Sequence, residues 1–241
     1  MSEEKIEEEK TAEEEKAKEE WIEKKEEMAA EGVELLLPIE TLLSAGIHIG
    51  TRIKTTEMEQ FIFRVRPDGL LVLDVKKTDE RIRAAAKFIA QFESSKVVVV
   101  SSRLYGRTPV EKFCEVTKAK PIIGRFPPGL FSNPAHPHHI EPQVLIVTDP
   151  NADEQAIKEA EVMGIPVIAL CDTDNAFSGI DFAIPTNNKG RRALAIVFWL
   201  LARQILRVKG ELSPDGDLPV SIDDFETKVA EVGEIPSESG E

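Results

Sequence analysis

Asp181-Phe-Ala-Ile-Pro-Thr186, followed by Asn187-Asn188-Lys189-Gly190-Arg191-Arg192 and then Ala193-Leu-Ala-Ile-Val-Phe-Trp-Leu-Leu-Ala202, is the stretch that decides the fold class. The first part reads as a short buried strand and the third as a helix apolar enough to lie on a sheet. Between them, Asn187 or Asn188 suits an N-cap, because a short amide oxygen accepts an orphan N–H of the first turn. The rest of the turn breaks local rules. A helix start carries partial positive charge and favours carboxylates, yet here stand Lys189, Arg191 and Arg192 beside a helix-weakening Gly190. Three cations next to free N–H donors make a corner suited to phosphate, and broken local rules often mark a functional site. The plain alternative is a set of solvated cations on a surface turn.

The same strand-to-helix grammar runs backwards through the chain. Val97-Val-Val-Val100, Pro121-Ile-Ile123, Val144-Leu-Ile-Val147 and Pro166-Val-Ile-Ala-Leu170 are short apolar runs. Helical patterns alternate with them: one opening at Thr78-Asp79-Glu80, one at Thr108-Pro109-Val110-Glu111 as a capping box, and one over Asp153–Met163. Short strands alternating with helices from 78 to 209 predict a largely parallel sheet with helices on its faces. Upstream, Leu35–Gly46 reads as a short helix and Ile47–Lys54 as a glycine-punctuated loop. Phe61–Arg66 and Leu70–Asp74 read as strands joined by the turn Pro67-Asp68-Gly69. Alternation in the first of these strands sets Arg64 and Arg66 on one face. Gly124–Pro142 is a proline-broken loop, long enough to suggest a function.

Charge divides the chain into three. Of the net −14, residues 1–34 hold −9, with 15 Glu against 6 Lys, and residues 211–241 hold another −9. Residues 35–210 carry 23 Lys and Arg against 19 Asp and Glu, so the body is mildly basic and nucleic acid is a candidate partner. We therefore expect an acidic N-terminal arm over 1–34, solvated or partly helical, an α/β body over 35–210, and a disordered acidic tail over 211–241. Cys114 and Cys171 stand alone, without a CxxC partner, which fits a reducing cytosol and no disulfide framework. The start of the chain is too charged for a secretory signal, and the run Ala193–Ala202 is too short to span a bilayer.

In open α/β sheets the working edge lies at the carboxyl ends of the strands. Here those ends carry Arg103, Arg107, Arg125, Asp149, Asp172, Asp174, Lys189, Arg191 and Arg192. Two readings compete. Asp149, Asp172 and Asp174 could hold a metal for phosphoryl transfer. Alternatively, the cations hold a polyanion while the aspartates cap turns, as Thr-Asp-Pro-Asn around Asp149 suggests. The second reading uses more of the residues. GxGxxG after a strand, GxxxxGK[ST] and GxSxG are all missing, so no cofactor and no small-molecule substrate is expected. His136, His138 and His139 have no carboxylate or thiol close in sequence to complete a metal site and read as polar loop residues.

Longer matches then point to a family. Leu42-Leu-Ser-Ala-Gly-Ile-His-Ile-Gly50 resembles the N-terminal signature of the small-subunit ribosomal protein S2 family, and Pro142–Pro166 resembles its second signature. Gly124-Arg-Phe-Pro-Pro-Gly-Leu-Phe-Ser-Asn133 and Ile184-Pro-Thr-Asn-Asn-Lys-Gly190 are similar to the archaeal and eukaryotic forms. The helical hairpin inserted in bacterial members has no room in these short connections. The resemblance covers about 35–210 and leaves both acidic tails outside.

The resemblance implies a flavodoxin-like three-layer sandwich with a mostly parallel sheet and an outlying β-hairpin. It also implies a cytoplasmic, non-catalytic component of the small ribosomal subunit, near the junction of head and body, with ribosomal RNA and neighbouring ribosomal proteins as partners. Combined with the charge pattern, it makes His48, Thr51, Arg52, Lys54, Arg64, Arg66, Arg103, Arg107, Arg125, Asn187, Asn188, Lys189, Arg191 and Arg192 the candidate RNA-binding residues.

Overall fold

Val97–Ser101 has no polar side chain until its last residue and no exposed one, as expected of a strand covered on both faces. The computed structural model, which describes residues 35–213 and 216–228, places it as an inner strand of a five-stranded sheet. The elements in chain order are α1 (Ile39–Ser44), β1 (Ile62–Val65), β2 (Leu71–Leu73), α2 (Val75–Ile89), β3 (Val97–Ser101), α3 (Arg107–Thr117), β4 (Lys120–Ile123), β5 (Val144–Val147), α4 (Glu154–Met163), β6 (Val167–Cys171), β7 (Phe182–Pro185) and α5 (Arg191–Lys209). Five strands pair in the order β4-β3-β5-β6-β7, every pair parallel. That is the flavodoxin-like order, with its switch point between β3 and β5.

Helices α2 and α3 pack on α5 over one face of the sheet. The opposite face is covered by α4 together with the proline loop, through Ala156, Ile157, Ala160, Phe126, Leu130 and Phe131. Every residue of α5 from Ala193 to Ile205 is buried, which explains an apolar run too continuous for a surface helix. A separate hairpin joins β1 and β2 antiparallel, with a bulge between Ile62 and Arg64. Its turn is the expected one: Gly69 has φ +82° and donates to Arg66 O at 2.9 Å. The segment 48–51 lines the other side of β2, through Leu73 N to His48 O at 2.8 Å and Leu71 N to Thr51 O at 3.0 Å.

Several local expectations shift. The first helix is shorter than Leu35–Gly46, because Pro38 occupies its N-cap position. Helix α2 begins at Val75 rather than Thr78, since the Asp74 carboxylate accepts from Lys76 N and supplies the cap. The Thr108 capping box does not form: α3 starts two residues earlier, after Gly106, and Pro109 sits within the first turn, where its missing N–H costs nothing. No helix joins β6 to β7; the link is the loop 172–181, which opens with a turn in which Asn175 N donates to Asp172 O at 3.1 Å.

The C-terminal segment corrects the expected boundary at 210. Residues 216–228 lie on α5 and α3 instead of leaving the body. Phe225 is fully buried, Trp199 Nε1 donates to Val220 O at 2.9 Å, and Arg203 donates to Asp217 at 2.7 Å while stacking 4.6 Å over the Trp199 ring. Ser221 and Asp224 close a capping box on the turn Ile222–Phe225. Acidic composition hid a strap whose few apolar residues are all that its burial requires. The expectations for 1–34 and for 229–241 fall outside the described residues.

One carboxylate shapes the long loop. Glu159 on α4 accepts from Gly129 N at 2.6 Å, Phe131 N at 3.1 Å and Ser132 N at 3.4 Å, and from Gln155 Nε2 at 3.0 Å. Burial works against its ionisation, but these donors win and hold the carboxyl below its ordinary value. A group with a lowered folded pKa contributes stability above its unfolded pKa, and this is lost as pH falls through the folded value. Glu159→Ala should cost about 2–3 kcal/mol in urea unfolding at neutral pH. Its deficit against wild type should shrink on acidification. Phe225→Ala should cost about 3–5 kcal/mol and shift Trp199 emission to the red.

Candidate nucleic-acid interface

The carboxyl edge of the sheet is built around Asp149, which follows β5 and has no exposed surface. Its Oδ2 accepts from both Nε and Nη2 of Arg103, which follows β3. Its Oδ1 accepts from Asn151 N at 3.1 Å, closing the turn foreseen in Thr-Asp-Pro-Asn, and from Asn175 Nδ2 at 3.2 Å and Asn188 Nδ2 at 3.4 Å. Asn188 also donates to Leu170 O at 3.0 Å and to Asn175 Oδ1 at 2.9 Å. The ends of β3, β5, β6 and β7 are thus joined through one carboxylate.

The neighbouring basic corner is balanced from within the chain. Lys189 Nζ lies 2.6 Å from Asp174 and 3.2 Å from Asp172, and Arg191 Nε lies 2.7 Å from Glu226 on the strap. Asp172 is pushed up by burial, against which Lys189 pulls it down. Asn187 Oδ1 accepts from Lys189 N at 3.0 Å and Gly190 N at 2.9 Å, so it caps the turn before α5 rather than the helix itself. The charge conflict read from sequence is real, and it is met by Asp172, Asp174 and Glu226. Arg192 is exposed and has no carboxylate partner among the described residues.

The edge at β6 and β7 is also covered by the loop that precedes the hairpin. Thr51 N donates to Thr173 Oγ1 at 2.9 Å, Thr55 N to Thr173 O at 3.0 Å, Asn187 N to Ile47 O at 3.0 Å and Asn187 Nδ2 to Gly46 O at 3.0 Å. Gly50 fits so closely that a Cβ there would lie 2.5 Å from Thr173 Cγ2. Thr51, Asn187 and Asn188 therefore serve the scaffold.

The remaining cations fall into two groups. Around the hairpin, His48 lies close to Arg64 and Arg66; burial first, then Arg66 and Arg64, lowers its pKa and favours the neutral ring. Arg52 is exposed on the adjoining loop, while Lys54 is paired with Glu59. At the β3–β4 end, Gly124 N donates to Ser101 O at 2.9 Å and Ser102 Oγ to Gly124 O at 3.1 Å. This brings Arg125 and Arg107 to the same end of the sheet as Arg103. Arg52, Arg64, Arg107 and Arg125 have no carboxylate partner among the described residues. Sequence reasoning missed Asn175 and Glu226 because their roles depend on contacts far along the chain.

Asp149 is engaged by arginine and asparagine donors, Asp172 by Lys189 and Thr173, and Asp174 Oδ2 by Lys189. No three His, Cys, Asp or Glu side chains gather into a metal-holding set among the described residues. His139 Nδ1 lies 3.1 Å from Leu130 O, and the rings of His136 and His138 stand 6.2 Å apart. No described helix is long and apolar enough to cross a membrane. The chain is thus a doubly wound α/β domain whose edge at β6 and β7 is covered by its own loop and ion pairs. Comparison with known proteins gives it a family: the family described as Ribosomal protein S2 matches residues 42–138 and 135–207. The chain is 57% identical over 202 residues to the small ribosomal subunit protein uS2 of Thermofilum pendens, covering 84% of this chain and 94% of that one. It is 56% identical over 196 residues to uS2 of Staphylothermus marinus, covering 81% and 89%. With uS2 of Korarchaeum cryptofilum it shares 51% over 199 residues, covering 83% and 92%. The chain belongs to the ribosomal protein S2 family and is a structural protein, not an enzyme; the phosphoryl-transfer reading is set aside.

Asp149→Ala should cost about 3–5 kcal/mol in chemical denaturation, because it strands the Arg103 guanidinium and two buried amides. Lys189→Ala should cost about 2 kcal/mol, less than a fully buried pair because Lys189 remains partly solvated. A corner that served only external anions would show no loss of stability in Lys189→Ala.

Proposed function

We propose that this protein is built into the small ribosomal subunit as a cytoplasmic component of the translation machinery and binds small-subunit RNA with the cations its own carboxylates leave free. The observation that carries this reading is the division of the basic residues. Lys189, Arg191 and Arg103 are neutralised inside the chain, whereas Arg52, Arg64, Arg107, Arg125 and Arg192 are not. Phosphate contacts position a protein without reading bases, and unpaired arginine is well suited to them. The relatives named small ribosomal subunit protein uS2 support the assembly. Proximity to the junction of head and body and contacts with neighbouring ribosomal proteins are part of the same proposal.

The hairpin cations are the place to test it. Replacing Arg52 and Arg64 together by Ala should leave the melting temperature within a few degrees. The double change should weaken binding to small-subunit RNA by about tenfold or more and reduce the slope of log affinity against log salt by about 2. An intact fold with unchanged affinity and slope would move the RNA surface away from the hairpin. Cosedimentation of the wild-type chain with small subunits through a moderate salt wash is the companion expectation.

A further inference from the structure

Between β3 and α3, the turn Leu104–Gly106 carries two exposed apolar side chains, Leu104 at 40% and Tyr105 at 42% of full exposure. Tyr105 is the one tyrosine of the chain. We infer that the Tyr105 ring is a stacking platform for an unpaired RNA base, with Arg107 and Arg125 at the same end of the sheet to take the flanking phosphates. This rests on the RNA-binding reading above and adds a site and a ligand class to it.

The turn is held rigidly. Gly106 N donates to Arg103 O at 3.1 Å, and Gly106 sits so close to the sheet that a Cβ would meet Ser101 Oγ at 2.2 Å and Thr148 Cγ2 at 3.2 Å. On the other side, Thr227 Oγ1 of the strap donates to Tyr105 O at 3.1 Å. The backbone is therefore fixed from below and above while the side chain remains partly exposed. Two residues before it, Arg103 has its guanidinium oriented by Asp149 and remains one-third exposed; two residues after it stands Arg107. Arg125 joins them from the end of β4. The cluster lies at the switch point between β3 and β5, the edge where this fold class takes nucleotides. An exposed aromatic side chain on a fixed backbone, with unpaired arginines at the same end of the sheet, is an arrangement suited to single-stranded RNA. Stacking supplies affinity without reading sequence, and the cations follow the phosphates. A duplex offers no free base face, so the ring distinguishes unpaired from paired RNA.

The test uses the full chain, a fluorescently labelled 12-nucleotide oligoadenylate and a 12-base-pair RNA duplex, read by anisotropy across a salt series. Tyr105→Ala should weaken oligoadenylate binding about tenfold, leave duplex binding unchanged, and leave the salt slope unchanged because no phosphate contact is lost. Tyr105→Phe should bind like wild type, and Tyr105→Leu, which keeps apolar bulk without a π face, should resemble Tyr105→Ala. Arg107→Gln should lower affinity for both probes and reduce the slope. Melting curves of the Tyr105 variants should match wild type, since the ring contributes no core. The inference is overturned if Tyr105→Ala binds oligoadenylate as wild type does, which would leave the ring for a protein contact, or if it loses both probes equally. If wild type bound neither probe with any salt dependence, the RNA-binding reading itself would fail, a distinct result.

Discussion

The buried carboxylate of Asp149 holds the carboxyl edge together. A charged group without solvent access is tolerated only when its oxygens are fully engaged. Those of Asp149 are engaged by Arg103, Asn151, Asn175 and Asn188, which stand after four different strands. The requirement works in both directions. The carboxylate cannot be buried unless four connections converge, and they have no reason to converge without it. The apolar core fixes the sheet, but a parallel sheet leaves its strand ends polar and open. The Asp149 network closes them and sets the positions of the turns after β3, β5, β6 and β7.

Closing this edge changes what the fold can do. The doubly wound architecture ordinarily leaves a crevice at the switch point for a phosphate or a ring system. Here the loop before the hairpin docks beside it, at the ends of β6 and β7, through Thr173 and Asn187, and Lys189 is held by Asp172 and Asp174. The result suits a family whose members are structural, because rigidity at the edge stiffens the surfaces around it. Electrostatics follow the same division. Cations that face the network are neutralised within the chain, and those displaced outward onto the hairpin and the β4 end retain their full attraction for phosphate.

Two irregular segments do the work of missing helices. The proline loop after β4 covers the sheet beside α4 because Glu159 satisfies three of its N–H groups, and this lets Phe126, Leu130 and Phe131 enter the core without leaving buried backbone unpaired. The strap over α5 places Phe225 in a position that no regular element occupies, and Asp217 lets Arg203 be buried as a stacked, paired cation. Each is anchored by a few specific polar contacts and one or two aromatic side chains.

Much of the architecture is legible in the chain itself. Uninterrupted runs such as Val97–Val100 and Val144–Val147 require burial on both faces, and their alternation with helical periods admits a parallel sheet and little else. The turn Pro67-Asp68-Gly69 specifies its hairpin locally, and the motifs around Leu42–Gly50 and Pro142–Pro166 carry the family. The candidate site was legible only as a collection of charges. That Lys189 and Arg191 are spoken for, while Arg107 and Arg125 are not, depends on Asp172, Asp174 and Glu226 arriving beside them. The strap was hidden for the same reason: composition averages over acidic residues, whereas burial of Phe225 depends on a groove formed by α5 and α3. Local propensity and periodicity act over a few residues and can be read along the chain. Charge compensation, hydrogen bonding and side-chain burial act over a few ångströms between residues as much as 141 positions apart, as Gly46 and Asn187 are, and so they are decided only when the chain is folded.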